Sequence, residues 1–334
     1  MVPPIEADPY ENDPGHWGAS LVNAAEILFP CLDAAGAKSV AEVGAYAGDL
    51  TGELIRWADR VGARVIAIDP TPEPQLIELA DQRPDLELIR ETSHDALRDL
   101  ALPDAVIIDG DHNYYTVSEE LRIIGEKAPG DDIPLLMFHD VGWPHARRDT
   151  YFAPERIPDE YRQPLAGPAG LFPDEPGLVD GALPFHFAAE REGGPRNGVL
   201  TAVEDFIERR EGLRLATVPV FFGLGVLWHT DAPWASAVAE IVEPWNRNSL
   251  LDRLEANRVY HLATVHLRAV EVAMLQERLA RQEERLARQE QMLRALLDSG
   301  GLAVADRLAG LRHPGRPTSW REQLREVLRE NGPG

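Results

Sequence analysis

Between Ser39 and Phe138, short apolar runs alternate with amphipathic stretches. Ser39-Val-Ala-Glu-Val reads as a strand, followed by a glycine-containing turn and a helix to about Val61. Arg64–Asp69, Leu86–Arg90, Ala105–Ile108 and Pro134–Phe138 give four further strands, with helices expected through Leu79, over Ser93–Leu100 and over Val117–Lys127. Val106, Ile107 and Ile108 are β-branched and continuous, as in a parallel strand covered on both faces. Repeated alternation of this kind implies βαβ crossovers. The expected class is α/β, a Rossmann-like, doubly wound, mostly parallel sheet.

The flanks carry other patterns. Residues 1–14 are rich in Pro, Asp and Glu and read as an arm, and Leu21, Ala24, Ala25, Leu28 and Leu32 recur at helical spacing in an opening helix from Trp17 to about Ala35. Residues 1–38 therefore precede a domain expected over 39–230. Within it, the Pro- and Gly-rich segment 142–197 interrupts the alternation and reads as a lid. Helix Val199–Arg210 follows, and Leu213–Trp228 holds two strand-like runs that close the sheet as an antiparallel hairpin. Residues 231–298 form a helical extension: Trp234–Val242 is one helix, and 250–297 contain neither proline nor glycine. Glu277-Arg-Leu-Ala-Arg-Gln-Glu recurs unchanged as Glu284-Arg-Leu-Ala-Arg-Gln-Glu. This long helix is expected to form a coiled coil and a homo-oligomer through residues 250–298, although half of one seam is Gln282 and Gln289. Residues 299–334 are a tail with a short helix over Trp320–Glu330.

Composition narrows the functional classes. With 33 basic and 56 acidic residues the formal charge is -23, which argues against nucleic acid or an anionic membrane as partner. Cys31, the only cysteine, excludes a disulfide within the chain and a cysteine-based zinc site. The first residues lack a signal pattern, and no apolar run approaches the ~20 residues of a membrane span. A soluble, cytoplasmic protein acting on a small molecule is expected.

The chemistry gathers at strand ends, where open α/β sheets bind ligands. The fourth strand runs into Asp109-Gly-Asp-His and the fifth into His139-Asp140. After the first, Glu42-Val-Gly-Ala-Tyr-Ala-Gly places Gly44 and Gly48 where backbone must turn tightly, without the denser glycine spacing that cradles a pyrophosphate. Asp69 ends the second strand, where an acid can accept both hydroxyls of a ribose.

The run from about Ser39 to Trp228 resembles a class I S-adenosylmethionine-dependent methyltransferase. Glu42-x-Gly44-x-x-x-Gly48 is similar to that family's cofactor loop and Asp69 to its ribose acid, and the resemblance implies that Ser93 and His94 face the adenine. Asp109-Gly-Asp-His-x-Tyr with a second polar strand end further resembles the metal-dependent sugar O-methyltransferases and the cephalosporin-hydroxylase-like group. That likeness implies Asp109, His139 and Asp140 as ligands of a divalent metal, with Asp111 or His112 taking the proton. It implies transfer of a methyl group to a hydroxyl of a sugar or secondary metabolite. His139 stands where those sugar enzymes carry an acid, so iron or zinc joins magnesium and manganese as a candidate. Two other readings use the same sequence: an oxygenase with His112, His139 and one carboxylate on iron, and an assembly protein acting through the long helix. The cluster His145-Ala-Arg-Arg-Asp-Thr-Tyr opens the lid, and Arg147 and Arg148 are candidates to hold an acidic substrate.

Overall fold

The computed structural model describes residues 20–130, 132–312 and 319–330; the N-terminal arm and the first residues of the expected opening helix lie outside the described residues. Seven strands form the main sheet: β1 (Ser39–Val43), β2 (Arg64–Ile68), β3 (Leu86–Ile89), β4 (Ala105–Ile108), β5 (Leu135–Phe138), β10 (Leu213–Val218) and β11 (Leu224–His229). Their spatial order is β10-β11-β5-β4-β1-β2-β3. The first five run parallel, and β11 pairs antiparallel with both β5 and β10. The doubly wound sheet with a closing antiparallel pair is thus present, and its switch point falls between β1 and β4.

Both faces of the sheet are covered, which is why the central strands β4 and β5 are apolar at every position. Ala105 and Ile107 point to one core and Val106 and Ile108 to the other. The first core is closed by α1 (Ala25–Ala35), α2 (Asp49–Val61), α3 (Pro74–Gln82) and α7 (Ala235–Val242). The second lies under α4 (Ser93–Asp99), α5 (Tyr114–Lys127) and α6 (Val199–Glu208). Cys31 sits fully buried in the first core, as a small apolar side chain would. Helix α5 begins three residues earlier than its apolar spacing suggests, because the Asn113 side chain caps it by accepting the Thr116 amide at 2.9 Å.

The lid is less irregular than its composition implies. It contains β6 (Leu165–Ala166), β7 (Ala169–Leu171), β8 (Leu183–Phe185) and β9 (Ala188–Ala189), paired antiparallel as β6 with β9 and β7 with β8. Arg148 explains its cohesion: the side chain is fully buried and donates to the carbonyls of Ala189 and Pro176, both at 2.8 Å. Beside it, Asp149 accepts the amides of Tyr114 at 2.7 Å and Gly198 at 2.6 Å, and the Tyr151 hydroxyl at 2.9 Å. One carboxylate thus ties the lid to the starts of α5 and α6.

The chain divides into two compact units, Met1–Leu267 and Arg268–Gly334. Helix α8 (Ser249–Asp298) begins in the first, where Val259, Leu262 and Ala263 are buried, and continues into the second. There the heptad residues Val272, Leu279 and Leu286 are exposed. The second unit also contains α9 (Gly300–Arg312), a helix that the tail was not expected to hold, and α10 (Trp320–Glu330), the short helix that was. Asp306 accepts the Trp320 amide at 2.8 Å. Among the described residues no helix is long and apolar enough to cross a membrane.

Candidate functional site

The carboxyl ends of β1, β4 and β5 meet at the switch point. Gly44 has φ +85°, and a Cβ there would lie 2.1 Å from the Asp109 carbonyl oxygen. Only glycine permits this approach, so the first loop rests directly on the backbone of the fourth strand's acid. Gly48, with φ +90°, precedes α2, and a Cβ on it would meet Leu76 at 3.2 Å.

Glu42 is buried beneath this loop, where it accepts a 2.6 Å hydrogen bond from the Thr51 hydroxyl. Burial pushes its carboxyl up to about 8, against the lowering effect of Thr51 and with a further push from Asp109. Asp69 organises the same loop: one oxygen accepts the Tyr46 amide and the other the Thr71 amide, each at 2.8 Å. At the start of α4, His94 donates from Nε2 to the Thr116 carbonyl at 3.1 Å. Next to Ser93 lies Glu120, a buried acid that the sequence pattern does not single out. Among the described residues neither of its oxygens has a hydrogen-bond partner of normal geometry. Burial lifts it to about 8, while the nearby Ser93 hydroxyl lowers it without reaching such geometry.

These acids give the folded chain a pH signature. Glu42 and Glu120 titrate near 8 against ordinary values of 4.5, and Asp149, pushed up by burial, near 6 against 3.8. The raised values make the folded chain hold protons that the unfolded chain releases. Stability from these groups is complete below the unfolded values and is lost as pH rises through the folded ones. The thermal midpoint is expected to fall from about pH 4.5 to about pH 8, and Glu42→Gln with Glu120→Gln should make that slope shallower. An unchanged slope in the double variant contradicts the assignment.

The second half of the site surrounds Asp140, which is buried and takes φ +61°, a left-handed conformation uncommon for a residue with a Cβ. His139 is fixed from both ring nitrogens: Nε2 donates to the Phe221 carbonyl at 2.8 Å, and Nδ1 lies 3.0 Å from Asp109 and 3.4 Å from Asp140. His112 Nδ1 reaches the same Asp140 oxygen at 2.9 Å. His145 enters from the lid, its Nδ1 3.0 Å from the Thr150 hydroxyl and its Nε2 3.8 Å from the other Asp140 oxygen. Three imidazoles hold the Asp140 carboxyl far below the usual carboxylate range despite its burial. Burial opposes charge on the histidines, but Asp140 and Asp109 raise His112 to about 9, and Asp109 and Asp140 raise His139 to about 10. Burial wins at His145, which drops to about 3 and stays neutral.

Among the described residues, two groups of donor atoms have the spacing of a cation site, Asp109–His139–Asp140 and His112–Asp140–His145, each with all atoms within 4.8 Å. The first matches the expected ligand set. Asp111 belongs to neither; it accepts the Phe152 amide at 3.1 Å and the Thr116 hydroxyl at 3.4 Å, and burial raises its pKa. The lid arginines are not available as expected. Arg147 pairs with Glu204, its Nη2 donating at 2.8 Å, and Arg148 is spent on lid carbonyls. His145 was legible only as part of a polar cluster, since a long-range fold contact, the Thr150 amide on the His112 carbonyl at 3.0 Å, brings its segment to the site.

No family model matches the chain, and no curated protein matches it. Among solved structures it is similar to the SAH-bound methyltransferase PaMTH1 of Podospora anserina, at 15% identity and a TM-score of 0.38, over 63% of this chain and 79% of that one. It is similar also to the O-methyltransferase TomG of Streptomyces achromogenes, involved in tomaymycin synthesis and solved with SAM, at 15% identity and a TM-score of 0.37, over 63% of this chain and 82% of that one.

Proposed function

We propose that the chain is an S-adenosylmethionine-dependent O-methyltransferase, assisted by a divalent cation, that acts on a hydroxyl of a sugar or secondary metabolite. The observation that carries this reading is the contact of the Gly44 loop with the Asp109 backbone, which sets a loop suited to the cofactor directly against a cation-type donor group. The residues fit both partners. His139 has its Nε2–H committed to Phe221, so that Nδ1 can turn a lone pair toward a cation held with Asp109 and Asp140. At the other end, the orphaned carboxyl of Glu120 beside Ser93 offers a buried polar edge to the amine of an adenine.

When bound, the cofactor supplies a methyl group on a sulfonium sulfur, and the cation supplies Lewis acidity toward the acceptor hydroxyl. The chain's own residues bind and orient. Glu42, Gly44 and Gly48 shape the loop, Asp69 keeps lone pairs for the ribose hydroxyls, and Ser93 and His94 flank the base. Asp109, His139 and Asp140 would hold the cation, and Asp111, or His112 in its deprotonated form, would accept the acceptor's proton. Methyl transfer would ask mainly for placement, which the residues of the loop and of the donor group would supply by holding cofactor and acceptor side by side. The lid, which Arg148 and Asp149 hold in place, would limit the access of water to the site.

The test is calorimetric binding of S-adenosylhomocysteine, followed by transfer from labelled S-adenosylmethionine to a panel of hydroxylated sugars and phenols. Binding should weaken about tenfold or more in Asp69→Ala, the loss of a charged hydrogen bond. Transfer should proceed without oxygen and stop on chelation. No binding of S-adenosylhomocysteine by the parent chain would sink the proposal.

A further inference from the structure

Asp140 presents its two carboxylate oxygens in different directions. Oδ2 faces His112 and His139, at 2.9 Å and 3.4 Å, while Oδ1 faces His145 at 3.8 Å. The lid histidine therefore stands outside the Asp109–His139–Asp140 group and forms another with His112. We propose that His112, Asp140 and His145 are a second cation site, sharing Asp140 with the first and taking a borderline transition ion such as iron(II), cobalt(II) or zinc.

Three observations support this. Donor atoms about 3–4 Å apart are what metal bonds of about 2.0–2.2 Å leave between neighbouring ligands. Both His145 nitrogens have defined surroundings: the Thr150 hydroxyl meets Nδ1 at 3.0 Å, while Nε2 faces Asp140 from beyond hydrogen-bonding distance. A ring fixed at one nitrogen by a neighbouring group, with the other turned inward, is the usual posture of a metal-ligating histidine. The His112 and His145 rings have centroids 4.5 Å apart and are tilted by 36°, close enough for both to serve one ion.

Ligand chemistry decides the class of ion. Two imidazoles and one carboxylate suit iron, cobalt or zinc and leave positions open, whereas magnesium demands oxygen donors. The inference stands whether or not methyl transfer is the reaction. If transfer is the reaction, a cation on His112 removes its lone pair from proton chemistry and leaves Asp111 as the acceptor.

The experiment titrates the metal-free full-length chain with cobalt(II) as the sole divalent ion, following visible absorption and metal content after desalting. Two cobalt ions per chain are expected. His145→Ala should lose one, together with its absorption band, and Asp109→Ala should lose the other while keeping the His145-dependent band. Circular dichroism monitors the fold. Should His145→Ala fail to fold, His112→Ala, whose side chain is one-third exposed, gives the same readout. A parent chain that takes a single cobalt, or His145→Ala and His112→Ala variants with unchanged content and spectrum, overturns the second site. Binding of S-adenosylhomocysteine, measured on the same samples, reports separately on the cofactor reading.

Discussion

Asp140→Asn is expected to remove bound cation and to lower methyl transfer by about 10³-fold or more, the scale of losing a preorganised electrostatic partner together with a Lewis acid. Asp140 belongs to both donor groups, so no other single substitution reaches as far. Asparagine preserves the shape and tolerates the left-handed backbone at this position. The stability cost is larger than for a surface acid, because His112 and His139 lose a buried counter-charge, an effect of about 3–5 kcal/mol when one member of a buried pair is removed. Metal analysis after dialysis, with release of S-adenosylhomocysteine as the rate assay, decides the matter. A variant with the parent's rate would show that Asp140 serves packing alone.

Gly44→Ala is the second large effect, and it acts through the fold. The new methyl would sit 2.1 Å from the Asp109 carbonyl oxygen and 2.6 Å from the Gly110 Cα, both backbone atoms that cannot swing aside. The left-handed conformation adds about 1–2 kcal/mol, and overpacking about 1–3 kcal/mol. Gly36→Ala is the control, since Gly36 has φ +64° but nothing within 4 Å of its Cβ position. Urea unfolding should place Gly44→Ala well below Gly36→Ala, and only the former should weaken cation binding through displaced Asp109. Equal losses in the two variants would mean that the loop and the fourth strand do not depend on each other.

The parallel sheet was legible because strands such as β4 and β5 are unbroken apolar runs ending in polar residues, as strands covered on both faces are. Asp109 and His139-Asp140 were legible as the polar ends of two strands, while their grouping as ligands rested on the resemblance to the metal-dependent sugar enzymes. The start of α5 was misplaced for want of weight on Asn113 and Thr116, a capping pair visible in the sequence. What lay beyond pattern is the lid. Nothing local distinguishes a buried Arg148 bonded to carbonyls from an exposed one awaiting an anion. His145 likewise reaches the site through a backbone bond between its segment and His112, a contact with no periodic signature. Glu120 falls on the buried side of α5, where a carboxylate looks like a misplaced surface residue until its neighbour Ser93 is seen.

Asp149 has a bearing on how this chain can diversify. By holding the amides of Tyr114 and Gly198 it joins the first turns of α5 and α6 to the beginning of the lid as one mechanical block. The paired strands β6 to β9 extend from that block, and none of them belongs to the main sheet. Under the proposed function, insertions or exchanges among those hairpins would reshape the wall that an acceptor meets while the strand ends kept their geometry. Substrate range and catalytic alignment would then lie in separate stretches of sequence, free to drift at different rates.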